Sequence, residues 1–233
     1  FGTFGALDGN LFADEINFVS EKLPEARRYY ANIVGKYGAP VQALLKKAAA
    51  LPVKTVCPLH GPVWRENIAW FVDKYDKWSS YTPEENAVAI FYGSVYGHTQ
   101  EAAEILASCL ADLEVKNIKV YDVSAQHSSY LVAEAFRCSH LVFASSTYNA
   151  GIFENMDILI DDLIKHALQN RKVALIENGS WASTAGMLMK EKLSKCKNTE
   201  FIGDVVTIKS PLKENQLADI KALSQKIASS LDG

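Results

Sequence analysis

The stretch Ala87-Val88-Ala89-Ile90-Phe91-Tyr92 leads through Gly93 into the polar hexad Ser94-Val95-Tyr96-Gly97-His98-Thr99. This pattern predicts a buried strand, a glycine-centred turn and a helix over residues 100–113. The backbone N–H groups at a helix start bind anions, and the hydroxyls of Ser94 and Thr99 add two donors. The hexad matches neither the Walker pattern, which needs a lysine, nor the three-glycine dinucleotide pattern. It therefore predicts a cradle in which neutral donors hold a phosphate monoester.

Apolar strands alternate with helical periodicity from residue 87 onward. The predicted strands cover residues 87–92, 118–123, 141–144, 173–176 and 201–208, and the predicted helices cover 100–113, 129–137, part of 155–169, 185–193 and 213–230. Right-handed crossovers place the helices of such a chain on both faces of a parallel sheet. We predict an α/β fold with a flavodoxin-like, doubly wound sheet in the order 2-1-3-4-5, whose ligands bind at the carboxyl ends of strands 1, 3 and 4.

The third and fourth predicted strands also end in small, polar loops that contain glycine. The two loops contribute the candidate binding residues Ser146, Thr147, Tyr148, Asn149, Ala150 and Gly151, and Asn178, Gly179, Ser180 and Trp181. Each loop alone fits an ordinary strand-to-helix turn equally well. Together with the hexad they predict a phosphate at the first strand and a flat aromatic ring system between the other two loops. A ligand with those two parts is FMN.

The composition bounds the function classes. The 233 residues allow one or two domains, and the net charge of −3 divides into +2 over residues 1–80 and −5 over residues 81–233. A mildly acidic second part argues against a nucleic-acid partner. No apolar stretch approaches the roughly 18 residues of a membrane span. The cysteines are far apart and form no C-x-x-C pair, which is typical of a cytoplasmic protein, and we expect all of them to be buried: Cys57, Cys109, Cys138 and Cys196.

Residues 1–80 have a different organisation. Helices are predicted over residues 20–37, 40–50 and 64–78, with a short strand over 53–57. One short strand in 80 residues makes a poor independent core, so we interpret this region as the end of a larger domain. The absence of an initiator methionine agrees with a chain that begins inside a longer protein. A polar stretch, Ser79–Asn86, predicts a linker at residues 81–86, followed by the FMN domain at 87–233.

The loop sequences YGSVYGHT, SSTYNAGIF and ENGSWASTAG, with CPLHGPVWR at residues 57–65, resemble the flavodiiron proteins, or A-type flavoproteins, over nearly the whole chain. The family joins a metallo-β-lactamase-like αββα domain, which carries a non-haem diiron site, to a flavodoxin-like FMN domain. The resemblance implies that residues 1–80 are the carboxyl-terminal part of the αββα domain and that His60 is its last metal ligand. From the residues alone, a single histidine after a strand is more often structural.

The resemblance also implies a function for the intact protein. It would reduce O2 to water or NO to N2O at the diiron site, with electrons from a small donor such as rubredoxin passing through FMN in a head-to-tail homodimer. The family's H-x-E-x-D-H run is absent from the chain, and one imidazole cannot hold two irons. We therefore expect the diiron centre only in the intact protein, and no catalytic residue is assigned here.

Two other functions remain as alternatives. An NAD(P)H:quinone reductase would need a nicotinamide site, for which the sequence has no marker. A stand-alone flavodoxin-like electron carrier would leave residues 1–80 without a purpose, despite their many apolar and aromatic residues.

The remaining chemistry-bearing residues have simpler interpretations. His98 either contacts the phosphate or sits at the helix start, and the second is favoured slightly. The other downstream histidines are predicted to be structural: His127, His140 and His166. Glu154, Asp157, Asp161 and Asp162 are predicted to form a solvated helix face, and Trp64, Trp70 and Trp78 are predicted to pack in a core.

Overall fold

The computed structural model describes residues 1–231, so the last two residues of the predicted FMN domain lie outside the described part. The chain forms two compact units, Phe1–Glu84 and the part from Glu85 onward. The predicted linker residues Glu85 and Asn86 belong to the first strand of the second unit, which begins at Glu85.

The first unit is mostly helical. Its α-helices are α1 (Phe18–Glu21), α2 (Leu23–Tyr29), α3 (Gly38–Ala48) and α4 (Ile68–Ser79). A π-helical turn over Tyr30–Val34 and a 3-10 turn over Gly35–Tyr37 connect α2 to α3. The single helix predicted over residues 20–37 is therefore broken, because Pro24 starts a new helix in the first turn of α2.

Two further predictions for the first unit are wrong. The strand predicted over residues 53–57 is absent from the described residues except for one bridge, in which Val56 pairs with Trp64. No strand among the described residues pairs with residues 51–55, and all of them are exposed. The helix predicted from Trp64 starts at Ile68 instead, because Trp64 takes part in that bridge and Asn67 has a left-handed backbone.

An aromatic cluster forms the core of the first unit. Phe71 stacks on Trp64 with ring centroids 4.2 Å apart, and Phe18 meets Trp64 edge-on at 4.6 Å. Tyr75 and Trp78 extend the cluster along α4. Trp64 and Trp78 are buried as predicted, whereas Trp70 is half-buried at the edge of the cluster.

The second unit is a parallel sheet between helices. Its elements are β1 (Glu85–Gly93), α5 (His98–Asp112), β2 (Ile118–Asp122), α6 (Ser128–Arg137), β3 (Cys138–Tyr148), β4 (Gly151–Ile152), α7 (Glu154–Lys165), β5 (Lys172–Asn178), α8 (Ala185–Leu193), β6 (Glu200–Phe201), β7 (Val206–Ile208) and α9 (Glu214–Leu231). The parallel order is β2-β1-β3-β5, with β6 and β7 both pairing with the outer side of β5. This is the predicted flavodoxin-like order 2-1-3-4-5.

The registers of the central strands bring their carboxyl ends to one edge. Gly93 of β1 pairs with Ser145 of β3, and Ser146 pairs with Asn178 at the end of β5. Alternate residues of these strands, among them Ile90, Val142 and Ile176, pack against α5 and α9. The site loops therefore leave the central strands β1, β3 and β5 at neighbouring positions.

Two details of the sheet were not predicted. The strand predicted over residues 201–208 is divided into β6 and β7 by a bend at Gly203, whose φ is +70°. The short strand β4 folds back antiparallel on the end of β3, pairing Thr147 with Ile152. This hairpin shapes the loop after β3.

Candidate functional site

The three predicted loops meet in one cavity of about 610 Å³ at the carboxyl edge of the sheet. Its lining includes all of the predicted loop residues except Gly97 and Gly151, together with Ala182 and Ser210. The structure therefore brings the predicted residues together, while their role in binding stays a prediction. Cavities of this size hold small-molecule cofactors.

The loop after β1 presents the start of α5 to the cavity. Gly97, at the N-cap of α5, has φ +89°, a conformation that favours glycine, and its N–H donates to Ser94 Oγ at 3.0 Å. Among the described residues, no group accepts from the backbone N–H of His98, Thr99 or Gln100, and the first hydrogen bond of the helix comes from Glu101. Three donors and the positive end of a 15-residue helix are thus available to an anion.

A hydroxyl pair joins the first and second loops. Thr99 Oγ1 and Ser146 Oγ lie 2.8 Å apart, and Thr99 is only 1% exposed. Each hydroxyl has one hydrogen and two lone pairs, so one of the pair donates to the other and the other keeps its hydrogen for a ligand. The pair can therefore supply one neutral donor beside the α5 start.

The loop after β3 is a two-residue hairpin. Asn149 and Ala150 both have left-handed backbones, with φ +49° and +58°, between the paired residues Tyr148 and Gly151. Two central residues with positive φ define a type I′ turn, whose twist matches that of the strands. The hairpin holds Tyr148, which is half-exposed, at the cavity.

The loop after β5 is fixed by Ser210, which follows β7. Asn178 Nδ2 donates to Ser210 O at 3.0 Å, and Ser210 N donates to Asn178 Oδ1 at 2.9 Å. The Ser180 and Ser210 hydroxyls lie 2.8 Å apart. Sequence reasoning missed Ser210, because it lies 30 residues beyond Ser180 and carries no motif of its own. The only local signal is Pro211, which marks the turn after a strand.

The start of α8 is capped from inside the protein. Thr147 Oγ1 accepts from Thr184 N at 3.1 Å and Ala185 N at 3.3 Å, and Glu177 Oε2 accepts from Gly186 N at 2.7 Å. The first N–H groups of α8 are therefore occupied, whereas those of α5 are available. This difference assigns an anionic group to the α5 end of the cavity.

The described lining of the cavity consists mainly of small, hydroxyl, amide and aromatic residues. Among the described residues that line it, none is Lys, Arg, Asp or Glu, and His98 is the one titratable side chain besides two tyrosines. Trp181, on its rim, is 95% exposed. Neutral donors at one end and large exposed aromatic groups at the other fit a phosphate monoester that carries a flat ring system, so the residues present fit FMN.

The first unit does not offer a comparable metal site. His60 is exposed, and its Nδ1 lies 3.0 Å from the Tyr29 hydroxyl. Within residues 1–231, no group of three or more His, Cys, Asp or Glu side chains is arranged to hold a metal ion. The ligand role of His60 and the lack of a complete diiron site in this chain both stay predictions.

Other predicted side chains have structural partners. Lys192 bridges Asp157 and Asp161 at 2.5 Å and 2.7 Å, so part of the acidic face of α7 is neutralised. His140 is buried, and its Nε2 lies 2.8 Å from Ser230 Oγ of α9. The prediction that all four cysteines are buried is wrong for Cys57, which is exposed, and for Cys109, which is half-buried.

A family model described as flavodoxin matches residues 90–222, more than half of the chain. The chain belongs to the flavodoxin family. The match spans the sheet from β1 into α9 and includes all three loops of the cavity. Membership of the flavodoxin family indicates FMN as the cofactor, in agreement with the fit of the cavity.

The chain is also similar to curated proteins of known name. The chain is 28% identical over 177 residues to an anaerobic nitric oxide reductase flavorubredoxin of Vibrio vulnificus, covering 75% of this chain and 35% of that protein. It is 25% identical over 181 residues to the Escherichia coli protein of the same name, covering 76% and 37%. The chain thus spans about a third of the length of these curated relatives.

The fold of both units matches solved structures. Rubredoxin oxygen:oxidoreductase of Desulfovibrio gigas superimposes with a TM-score of 0.90 and 24% identity, over 99% of this chain and 57% of that one. The flavodiiron protein of Giardia intestinalis gives 0.87 and 19%, over 100% and 58%. Because these matches cover residues 1–84 as well, the first unit has the fold of the corresponding part of flavodiiron proteins. Within residues 1–231, no helix is long and apolar enough to span a membrane.

Proposed function

We propose that this chain is the FMN-binding, electron-transfer part of a flavodiiron oxidoreductase. The observation that carries the proposal is the cavity that three loops form over the uncapped start of α5, with no Lys, Arg, Asp or Glu side chain in its described lining. The family match to flavodoxin supports FMN as its occupant. Bound FMN supplies reversible transfer of one or two electrons.

Different residues of the chain bind the phosphate and the ring system of FMN, at the two ends of the cavity. The N–H groups of His98, Thr99 and Gln100, with the hydroxyl pair of Thr99 and Ser146, hold the phosphate. The loops that carry Tyr148 and Trp181 hold the ring system and shield its faces from water. Gly97 and Gly151 stay in the proposal as residues that shape the loops rather than line the cavity.

For the intact protein we propose reduction of O2 to water or of NO to N2O at a non-haem diiron site that includes His60. The fold of the first unit and the names of the relatives, which include nitric oxide reductase and oxygen:oxidoreductase, support this assignment. We propose a small donor such as rubredoxin, a head-to-tail homodimer and a cytoplasmic location. All four cysteines are free, as is usual in the reducing cytoplasm.

The FMN proposal is tested by titrating the purified chain with FMN and with riboflavin, followed by visible absorption and flavin fluorescence. Thr99→Val removes one hydroxyl of the pair at nearly constant volume. We expect FMN to bind about tenfold more weakly and riboflavin to bind unchanged. Thr199→Val, outside the cavity, is the matched control and leaves both affinities unchanged.

Three results would contradict these assignments. A chain that takes up no FMN would overturn the proposed function. Equal losses for FMN and riboflavin in Thr99→Val would overturn the location of the phosphate. Rapid flavin reduction by NADH or NADPH without a donor protein would favour the quinone-reductase alternative.

A further inference from the structure

Glu177 is a buried carboxylate directly behind the cavity. It is the penultimate residue of β5 and is 8% exposed, and the next two residues, Asn178 and Gly179, line the cavity. Gly186 N donates to its Oε2 at 2.7 Å, and Thr207 Oγ1 donates to its Oε1 at 2.8 Å. Each of its two carboxylate oxygens therefore accepts a hydrogen bond.

The charge of Glu177 has no cationic partner within the described residues. No lysine or arginine side chain there lies within 4.0 Å of it, whereas the partly buried Glu134 pairs with Arg137 at 2.7 Å. Buried carboxylates are usually paired with a cation. Glu177 is instead stabilised by the start of α8, whose dipole favours a negative charge. Part of its field therefore reaches the neighbouring cavity, whose described lining contains no Lys, Arg, Asp or Glu side chain.

We propose that the Glu177 carboxylate lowers the reduction potential of the flavin held in this cavity. The inference rests on the proposed function, since it needs FMN in the site. Two-electron reduction with uptake of one proton leaves the occupied site one charge more negative, and the electrons come from the reductant. A fixed anion opposes that added charge, so Glu177 favours the oxidised cofactor over the reduced one.

Glu177→Gln tests the charge at nearly constant shape, because the amide oxygen still accepts from Gly186 N. The dissociation constants of oxidised FMN and of dithionite-reduced FMN are measured anaerobically for the wild type and the variant. We expect the ratio of the two constants to shift about tenfold in favour of reduced FMN, equal to about 30 mV for a two-electron couple. Glu200→Gln, at the exposed start of β6, makes the same change in net charge and leaves the ratio unchanged.

Thr207→Val gives a shift of the opposite sign. Thr207 is exposed, and this change removes the hydroxyl that donates to Glu177 Oε1. The negative charge of the carboxylate is then less stabilised by hydrogen bonds, so we expect the ratio of the two constants to shift about threefold in favour of oxidised FMN. If Glu177→Gln fails to fold, the ratio of dissociation constants measured for Thr207→Val tests the effect of Glu177 on the flavin.

The outcomes separate this inference from the proposed function. An unchanged ratio in the folded variants, or equal weakening of both oxidation states in Glu177→Gln, would mean that Glu177 only positions the loop and would overturn the inference alone. A wild-type chain that binds no FMN would overturn both.

Discussion

Ala150 occupies a backbone conformation that suits other residues better. Its φ is +58° at the second position of the hairpin turn, directly after Asn149. Asparagine tolerates the left-handed region, whereas the Cβ of alanine costs roughly 1 kcal/mol there. Hairpins of this type most often have glycine at that position. The hairpin thus stores a small strain beside the cavity.

Ala150→Gly should therefore stabilise the chain. Relief of the strain exceeds the extra entropy of glycine in the unfolded chain, and we expect a gain of about 0.5 kcal/mol in the free energy of unfolding, measured with urea. Ala222→Gly, on the exposed face of α9, should lose about 1 kcal/mol, as glycine usually does in a helix. A loss of similar size in both variants would contradict this account of the turn.

At the level of the element, α8 depends on a glycine in its first turn. Glycine normally weakens a helix relative to alanine by about 1 kcal/mol. Here a Cβ on Gly186 would collide with Val205 Cγ1 and would lie 2.9 Å from Glu177 Oε2. The close approach lets the Gly186 N–H reach the buried carboxylate, so packing outweighs propensity at this position.

Gly186→Ala should destabilise the chain by about 1–2 kcal/mol, against the sign that helix propensity predicts. Thermal unfolding followed by circular dichroism measures the effect. At Gly151 an added Cβ would meet only ordinary contacts, so Gly151→Ala should stay within about 0.5 kcal/mol of the wild type. A rise in the melting temperature of Gly186→Ala would show that α8 can move away from β5.

Periodicity predicted the elements whose local signals agree with their packing. The helix over 185–193 has the predicted bounds, and the buried runs at β1, β3 and β5 were identified as strands. The failures occur where tertiary contacts decide. The two-residue strand β4 exists only because it pairs with β3, and residues 53–57 are not a strand because the described chain offers them a single bridge. The sequence pattern alone cannot identify such pairing partners.

At the scale of the whole molecule, each unit has its own core, and a buried carboxylate closes the core of the first. Glu84 Oε2 accepts from Arg27 Nε at 2.6 Å and Trp78 Nε1 at 3.0 Å, and Lys74 Nζ lies 3.1 Å from Oε1. Burial alone would raise the pKa of Glu84, but the hydrogen bond and charge of Arg27, with Trp78 and Lys74, lower it from 4.5 to about 2.

A lowered folded-state pKa means that the Glu84 carboxylate stabilises the first unit above pH 4.5 and that this contribution is lost as the pH falls toward 2. Glu84→Gln should cost about 3 kcal/mol at pH 7 and progressively less in acid. Tryptophan fluorescence reports the transition, because Trp64, Trp70 and Trp78 lie in this unit. Glu21→Gln, at an exposed position of α1, is the control. The prediction would be wrong if the difference persisted at pH 2.

The position of the site was more predictable from the sequence than the residues that hold its loops in place. Loops at the carboxyl ends of parallel strands converge for topological reasons, so the three polar segments of the sequence were enough to predict where the cavity lies. Ser210 and Glu177 were missed because hydrogen bonds formed only on folding connect them to the loops, over separations of 30 and 9 residues. The spacing of residues along the sequence does not indicate such hydrogen bonds.

The described lining of the cavity has no lysine or arginine, and this governs how flavin binding responds to ionic strength. Mobile ions weaken attraction between charges over a Debye length of about 10 Å at 0.1 M salt, but they compete little with hydrogen bonds from neutral hydroxyl and amide groups. FMN affinity should therefore change less than about twofold between roughly 0.05 and 0.5 M sodium chloride. A cofactor held by lysines would dissociate progressively over that range. The protein described here would keep its flavin through large changes in the salt content of its surroundings.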